Sequence, residues 1–78
     1  MYNVSTVDCS DVSRIVSRYE ADKKIRRQLS TTEQIVLAFV YSEPTWLPEP
    51  YTHPLRALYL LGENWTKQAI AYHLEKTP

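Results

Sequence analysis

Residues 30–41 read Ser-Thr-Thr-Glu-Gln-Ile-Val-Leu-Ala-Phe-Val-Tyr, and this stretch decides the fold. Its first four residues form a capping-box pattern, in which the Ser30 hydroxyl accepts from the Glu33 amide and the Glu33 carboxylate accepts from the Ser30 amide. The apolar run that follows, residues 35–41, is rich in β-branched and aromatic side chains, so a buried strand also fits it. The capping box and the lack of a segment that could pair with such a strand favour a central helix, with the buried strand as the alternative.

An amphipathic helix is predicted before this stretch, over about residues 11–27. Ser10 offers an N-cap, and four apolar residues then recur at helical spacing on one stripe, namely Val12, Ile15, Val16 and Tyr19. Ile25 and Leu29 lie about 110° from the centre of that stripe. The helix is therefore expected either to end near Asp22 or to turn a second face toward another element.

A proline-rich loop and two further helices are predicted after it. Four of the five prolines fall between residues 42 and 54, together with Trp46 and Tyr51. Pro54 suits the first turn of a third helix, over residues 54–61. The single glycine, Gly62, suits a left-handed C′ position, and Asn64 can cap a fourth helix over residues 65–76.

The sequence therefore predicts an all-α fold, a compact bundle of about four short helices with a proline-rich loop between the second and third. The helices are expected at about 11–27, 31–42, 54–61 and 65–76. The whole chain, residues 1–78, is read as one small domain, with residues 1–9 as a flexible tail because they show no periodicity. Apolar residues make up 44% of the chain, which is enough to build a core.

Composition argues against catalysis. One glycine cannot supply a phosphate-binding loop, and no spacing of cysteine and histidine fits a zinc site. His53 and His73 lie far apart, and Cys9 stands between Asp8 and Asp11, an acidic environment that is expected to raise the pKa of its thiol. We expect no enzymatic activity, no cofactor and no metal.

The composition also indicates where in the cell the protein is expected. A single cysteine excludes an internal disulfide, and the longest apolar run, residues 35–41, is far shorter than the ~20 residues that cross a bilayer. The sequence shows no signal peptide. We expect a soluble, cytoplasmic protein with no membrane partner.

Charge is unevenly distributed along a chain whose formal net charge is zero. Between residues 14 and 27, six basic residues stand against Glu20 and Asp22, a local balance of +4. The candidate contact residues for a partner are these six together with two aromatic residues of the proline loop: Arg14, Arg18, Lys23, Lys24, Arg26, Arg27, Trp46 and Tyr51. The alternative is a solvated helix face, in which Arg18 pairs with Asp22 one helical turn away.

Residues 55–76 contain apolar and small residues at a characteristic spacing, namely Leu58, Leu61, Ile70, Ala71 and Leu74. This pattern resembles the first two helices of the helix-turn-helix domain of bacterial and phage regulators, of the winged-helix type. In that family a recognition helix enters the major groove, and it would follow Leu74, where only four residues remain. The resemblance therefore implies a scaffold role here, with any nucleic-acid contact made by residues 14–27.

Two functions follow as hypotheses. The first is a small, non-enzymatic regulatory or inhibitory protein that binds a larger macromolecular machine, as many small phage and mobile-element proteins do; its partner is then a protein. The alternative is a DNA-binding transcriptional regulator of helix-turn-helix type, with a homodimer among its expected forms, whose basic first helix enters the groove.

Overall fold

The computed structural model describes residues 8–76, and every regular element in that range is a helix. The elements in chain order are α1 (Ser10–Ala21), a 3-10 helix (Lys23–Gln28), α2 (Thr31–Val40), a short 3-10 helix (Pro44–Trp46) and α3 (Pro54–Lys76). Non-helical backbone at Gly62 divides α3 into a first half, residues 54–61, and a second half, residues 63–76. This confirms the all-α bundle of about four short helices. Of the predicted tail, residues 1–7 lie outside the described residues.

The central segment is a helix, as the capping box predicted. The Glu33 amide donates to the Ser30 hydroxyl at 3.2 Å, and the Ser30 amide donates to the Glu33 carboxylate at 3.1 Å. Three successive side chains, Ile35, Val36 and Leu37, are completely buried. Burying one such side chain contributes about 1.5–3 kcal/mol, so α2 is the centre of the core.

The end of α2 is defined by a Schellman motif. Helical geometry stops at Val40, two residues before the predicted end at residue 42. The Ser42 amide donates to the Phe39 carbonyl at 3.2 Å, and the Glu43 amide donates to the Ala38 carbonyl at 2.8 Å. This pattern requires left-handed backbone at the C′ residue, and Ser42 has φ 55°.

The first helix buries the predicted stripe. Its buried residues are Val12, Ile15, Val16 and Tyr19. Its N-cap is Cys9 rather than the predicted Ser10, because the Asp8 carboxylate accepts from the Ser10 amide at 2.9 Å. The helix therefore starts one residue earlier than the sequence predicted.

α1 ends at Ala21, which confirms the alternative that the first helix ends near Asp22, and the single helix over about residues 11–27 does not form. Backbone at Asp22 is extended, and the Asp22 carboxylate accepts from the Lys24 amide at 3.1 Å, which starts the 3-10 helix. The redirected chain buries Leu29 to 6% exposure and packs Ile25 against the core. A continuing α-helix would have pointed both side chains away from the stripe that α1 buries.

The break in α3 lies where the sequence placed it, with a different geometry. Gly62 has φ 81° and ψ 172°, so it is not in the left-handed helical region expected for a C′ residue. Helical structure resumes directly after Gly62, and Asn64 lies inside the second half instead of capping it. α3 contacts both α1 and α2, and its buried apolar residues are Ala57 and Leu61 in the first half and Ala71 in the second.

The proline loop contributes Leu47 to the core, where it is 6% exposed.

Among the described residues, no helix has the length and hydropathy needed to cross a membrane.

Candidate interaction surface

The basic segment predicted from sequence is shared between α1 and the 3-10 helix that follows it. Three of its members are paired with carboxylates: Arg14 with Asp11 at 3.0 Å, Arg18 with Glu33 at 3.8 Å, and Lys23 with Glu20 at 3.5 Å. The Arg18 pair with Asp22 that the solvated-face alternative predicted does not form, because Asp22 caps the 3-10 helix. Exposed ion pairs of this kind contribute about 0.2–1 kcal/mol each.

The other three basic residues, Lys24, Arg26 and Arg27, all lie on the 3-10 helix. Within residues 8–76 they have no carboxylate at ion-pairing distance. Lys24 and Arg27 are exposed, and Arg26 is half-buried. The positive charge of the segment that no nearby carboxylate compensates is therefore concentrated on the 3-10 helix.

Three aromatic side chains from different elements meet beside it. The ring centroids of Tyr19 and Tyr41 are 5.2 Å apart, those of Tyr19 and Trp46 are 5.6 Å apart, and those of Tyr41 and Trp46 are 5.7 Å apart. Edge and tilted contacts at these distances stabilise by about 0.5–1.5 kcal/mol each beyond the area they bury. The cluster fixes the proline loop against α1 and the end of α2.

Two cations lie over these rings. The Arg26 guanidinium carbon is 4.5 Å from the Trp46 ring centroid, and the Lys23 ammonium is 5.4 Å from the Tyr19 ring centroid. Both distances are within the range of a cation–π interaction. We call the set formed by Tyr19, Lys23, Arg26, Tyr41 and Trp46 the basic–aromatic surface.

A hydrogen bond completes the edge of this surface. The Tyr41 hydroxyl donates to the Glu20 carboxylate at 2.7 Å. That bond lowers the pKa of Glu20, whereas burial and then the same bond raise the pKa of Tyr41. The two shifts widen the pH range over which an ionised Glu20 accepts from a protonated Tyr41.

Tyr51, the remaining predicted contact residue, is not part of this cluster. Its side chain is half-buried and packs against the core, and its amide donates to the Pro48 carbonyl at 2.6 Å. The structure thus brings together Arg26, Lys23 and Trp46 from the predicted set, and leaves Arg14 and Tyr51 elsewhere.

A second surface was missed by the sequence reasoning. An open groove of about 420 Å³ is lined by residues of both halves of α3 and by Phe39 of α2. Leu58, Ile70 and Leu74 line it, and Leu58 and Leu74 are 37% and 52% exposed. A usable sequence signal existed in residues 54–61, which are apolar on nearly every side of a helix.

The groups that could do chemistry are scattered. Within residues 8–76, no three side chains of histidine, cysteine, aspartate or glutamate come together as a metal site would require. Burial and a hydrogen bond to Glu75, 3.4 Å from the sulfur, raise the pKa of the Cys9 thiol. A raised pKa keeps a thiol protonated and unreactive.

Comparisons of the chain with protein-family models, with curated proteins and with solved structures found no match in any of the three. The structure places Leu61 and Ala71 of the helix-turn-helix-like pattern in the core, and Leu58, Ile70 and Leu74 along the groove. The resemblance stays a prediction, and the function has to be argued from the two surfaces.

Proposed function

We propose that this protein is a non-enzymatic regulatory or inhibitory interaction protein, and that its basic–aromatic surface binds an acidic region of a larger partner protein. The observation that carries the proposal is the contact of Arg26 with Trp46, at 4.5 Å. It joins the basic segment and the proline loop, which lie 20 positions apart in sequence, into one surface. Tryptophan and arginine are the residues most enriched at the energetic centres of protein interfaces.

The charge of the surface supports the choice of an acidic partner. Lys24 and Arg27 extend the positive charge of Arg26 along the same 3-10 helix, without a carboxylate at ion-pairing distance in residues 8–76. Positive charge of this kind speeds the encounter with an acidic surface, while the half-buried rings of Tyr41 and Trp46 give the contact its area.

The alternative, a DNA-binding regulator, draws on the same positive charge but has a weaker geometric basis. A recognition helix presents its basic side chains to the groove. On α1, Arg14 and Arg18 instead contact Asp11 and Glu33. The basic residues of this segment that have no carboxylate at ion-pairing distance within residues 8–76 lie on a short 3-10 helix, which favours a protein partner over a major groove.

A capture experiment with matched variants tests the proposal. The wild-type chain, the double variant Arg26→Glu/Arg27→Glu and the control Arg56→Glu are immobilised and exposed to nuclease-treated extract of the native host. Arg56 is an exposed arginine on α3 outside the basic–aromatic surface, so its reversal changes the net charge without changing that surface. We expect one protein to be retained by the wild type and the control, to be lost from the double variant, and to elute as salt is raised.

Measuring the binding of the wild-type chain to duplex DNA tests the alternative function. Sub-micromolar binding to DNA that weakens steeply with salt would contradict the protein-binding proposal and support the regulator. Equal retention of the captured protein by the wild type and the double variant would show that the basic–aromatic surface is only a solvated face.

A further inference from the structure

The first half of α3 is apolar around nearly its whole circumference, and only part of it is covered. Arg56 is its one charged residue. Ala57 and Leu61 face the core and are 0% and 4% exposed, whereas Leu55 and Tyr59 are 71% and 89% exposed. A helix with apolar residues on every side is normally buried on every side.

The exposed face joins the groove of α3. Leu58 and Thr66 line the groove and also line an adjacent shallow depression, which is bordered by Leu55 and Tyr59. One continuous face therefore carries both a projecting ring, that of Tyr59, and an open groove of about 420 Å³.

We infer that this face binds the same face of a second copy of the chain. In a two-fold symmetric dimer each copy contributes the same patch, so the patch must be complementary to itself. A patch with a projecting side chain beside a groove meets that requirement, because the Tyr59 ring of each copy enters the groove of the other. We call this patch, formed by Leu55, Leu58, Tyr59, Leu74 and the groove, the dimer face.

The area is sufficient. Leu55, Leu58, Tyr59 and Leu74 are 71%, 37%, 89% and 52% exposed. Since a whole large apolar side chain offers about 150–250 Å², these four expose roughly 500 Å² in each copy. Pairing two copies would remove up to about 1,000 Å² from water through these four side chains, which is the lower bound for a specific interface, and the rest of the groove adds to it.

The charges also permit self-association. The side chains that line the groove include no aspartate, glutamate, lysine or arginine. Glu63, beside the depression, already pairs with Lys67 at 3.1 Å. Pairing two copies through the groove would therefore bury no uncompensated carboxylate or ammonium, and a chain of zero net charge has no long-range repulsion from its own copy.

Sedimentation equilibrium of the full chain over a wide range of concentration tests the inference. We expect a reversible dimer of twice the 9.1 kDa chain mass. Tyr59→Gln should weaken dimerisation by roughly 30-fold or more, as truncation of a central interface aromatic does. Leu60→Gln is the matched control, because Leu60 lies on the same helix, is 38% exposed and does not line the groove, so the dimer should persist.

Tyr59 is 89% exposed, so its replacement should leave the far-ultraviolet circular dichroism spectrum unchanged; Leu55→Gln, at a side chain 71% exposed, is a second variant of the same kind. A wild-type chain that stays monomeric at every concentration would overturn the inference. So would a dimer that Tyr59→Gln and Leu55→Gln leave intact. Binding of a different protein to the dimer face of a monomeric chain would assign the face to that partner instead.

Discussion

Replacing Gly62 with alanine tests the geometry that divides α3. Gly62 has φ 81° and ψ 172°, a region of backbone space that is essentially restricted to glycine. A Cβ added at this position meets no atom within 4 Å, so the cost of Gly62→Ala comes from the backbone alone. That cost is about 1–3 kcal/mol, offset by about 0.4–1 kcal/mol because alanine lowers the entropy of the unfolded chain.

These ranges together give about 0–2.6 kcal/mol, and we expect Gly62→Ala to lower the free energy of unfolding by the middle of that range, about 1–2 kcal/mol. For a domain of this size, the melting temperature should fall by roughly 4–16 °C. Urea and thermal unfolding followed by circular dichroism measure both quantities, at a concentration where any association is held constant.

The matched control for this experiment is D-alanine at position 62, introduced by chemical ligation. A D-residue has mirror-image backbone preferences, so a φ of 81° is ordinary for it. We expect D-alanine to keep or slightly raise the stability, because it restricts the unfolded chain as L-alanine does without the backbone strain. Equal stability of the wild type and Gly62→Ala would refute the reasoning, and would show that the chain passes position 62 with different backbone angles.

Three further predictions concern single side chains. Ser42→Gly should raise the free energy of unfolding by about 1 kcal/mol, because the C′ residue of α2 has φ 55°; a loss of stability in urea unfolding would contradict this. Gln68→Met should change the free energy of unfolding by less than about 1 kcal/mol, since it removes a buried carbonyl oxygen that has no partner within residues 8–76 but also the hydrogen bond that the Gln68 amide donates to Asp11 at 3.3 Å; a loss well above about 1.5 kcal/mol would show that the oxygen too is hydrogen-bonded. Tyr41→Phe should raise the pKa of Glu20 in an NMR titration, because the Tyr41 hydroxyl is the main cause of its lowering. The pKa of Glu20 is lower in the folded state than in the unfolded chain, so the extra stability of the wild type over Tyr41→Phe should be present above the unfolded-state pKa and lost as the pH falls through the folded-state pKa. An unchanged Glu20 pKa in the variant would refute the assignment.

Local signals in the sequence were sufficient for the helices that carry the core. The capping box at residues 30–33 predicted the start of α2 and its choice of helix over strand, because both of its hydrogen bonds join residues three apart. The stripe from Val12 to Tyr19 likewise predicted which face of α1 is buried. Both features depend on the spacing of residues within one helix, and this spacing can be read from the sequence.

The end of α1 could not be predicted in the same way. Periodicity showed that Ile25 and Leu29 do not continue the stripe, but it left two outcomes open. The outcome was decided by the core, because extended backbone at Asp22 lets Leu29 reach it. The contact between Arg26 and Trp46 depends on that redirection and on the path of the proline loop, so no local pattern could have shown it.

The groove of α3 was missed for a different reason. Sequence patterns show which side chains are apolar, but not how many of them the core can enclose. In a chain of this length, α2 occupies the centre with side chains that are completely buried, and Leu55, Leu58 and Tyr59 are left outside. Their apolar pattern predicted a scaffold, whereas the structure exposes them on a face of their own.

The two proposed surfaces share no residue, and this separation makes the proposals independent and their combination testable. A dimer would carry two basic–aromatic surfaces, so a partner with repeated acidic sites would be bound with avidity. Tyr59→Gln should then abolish the avidity and keep the affinity for a single acidic site, whereas Arg26→Glu should abolish binding and keep the dimer. Loss of both properties in either variant would mean that the surfaces are coupled through the core, which would contradict the assignment of one contact to each surface.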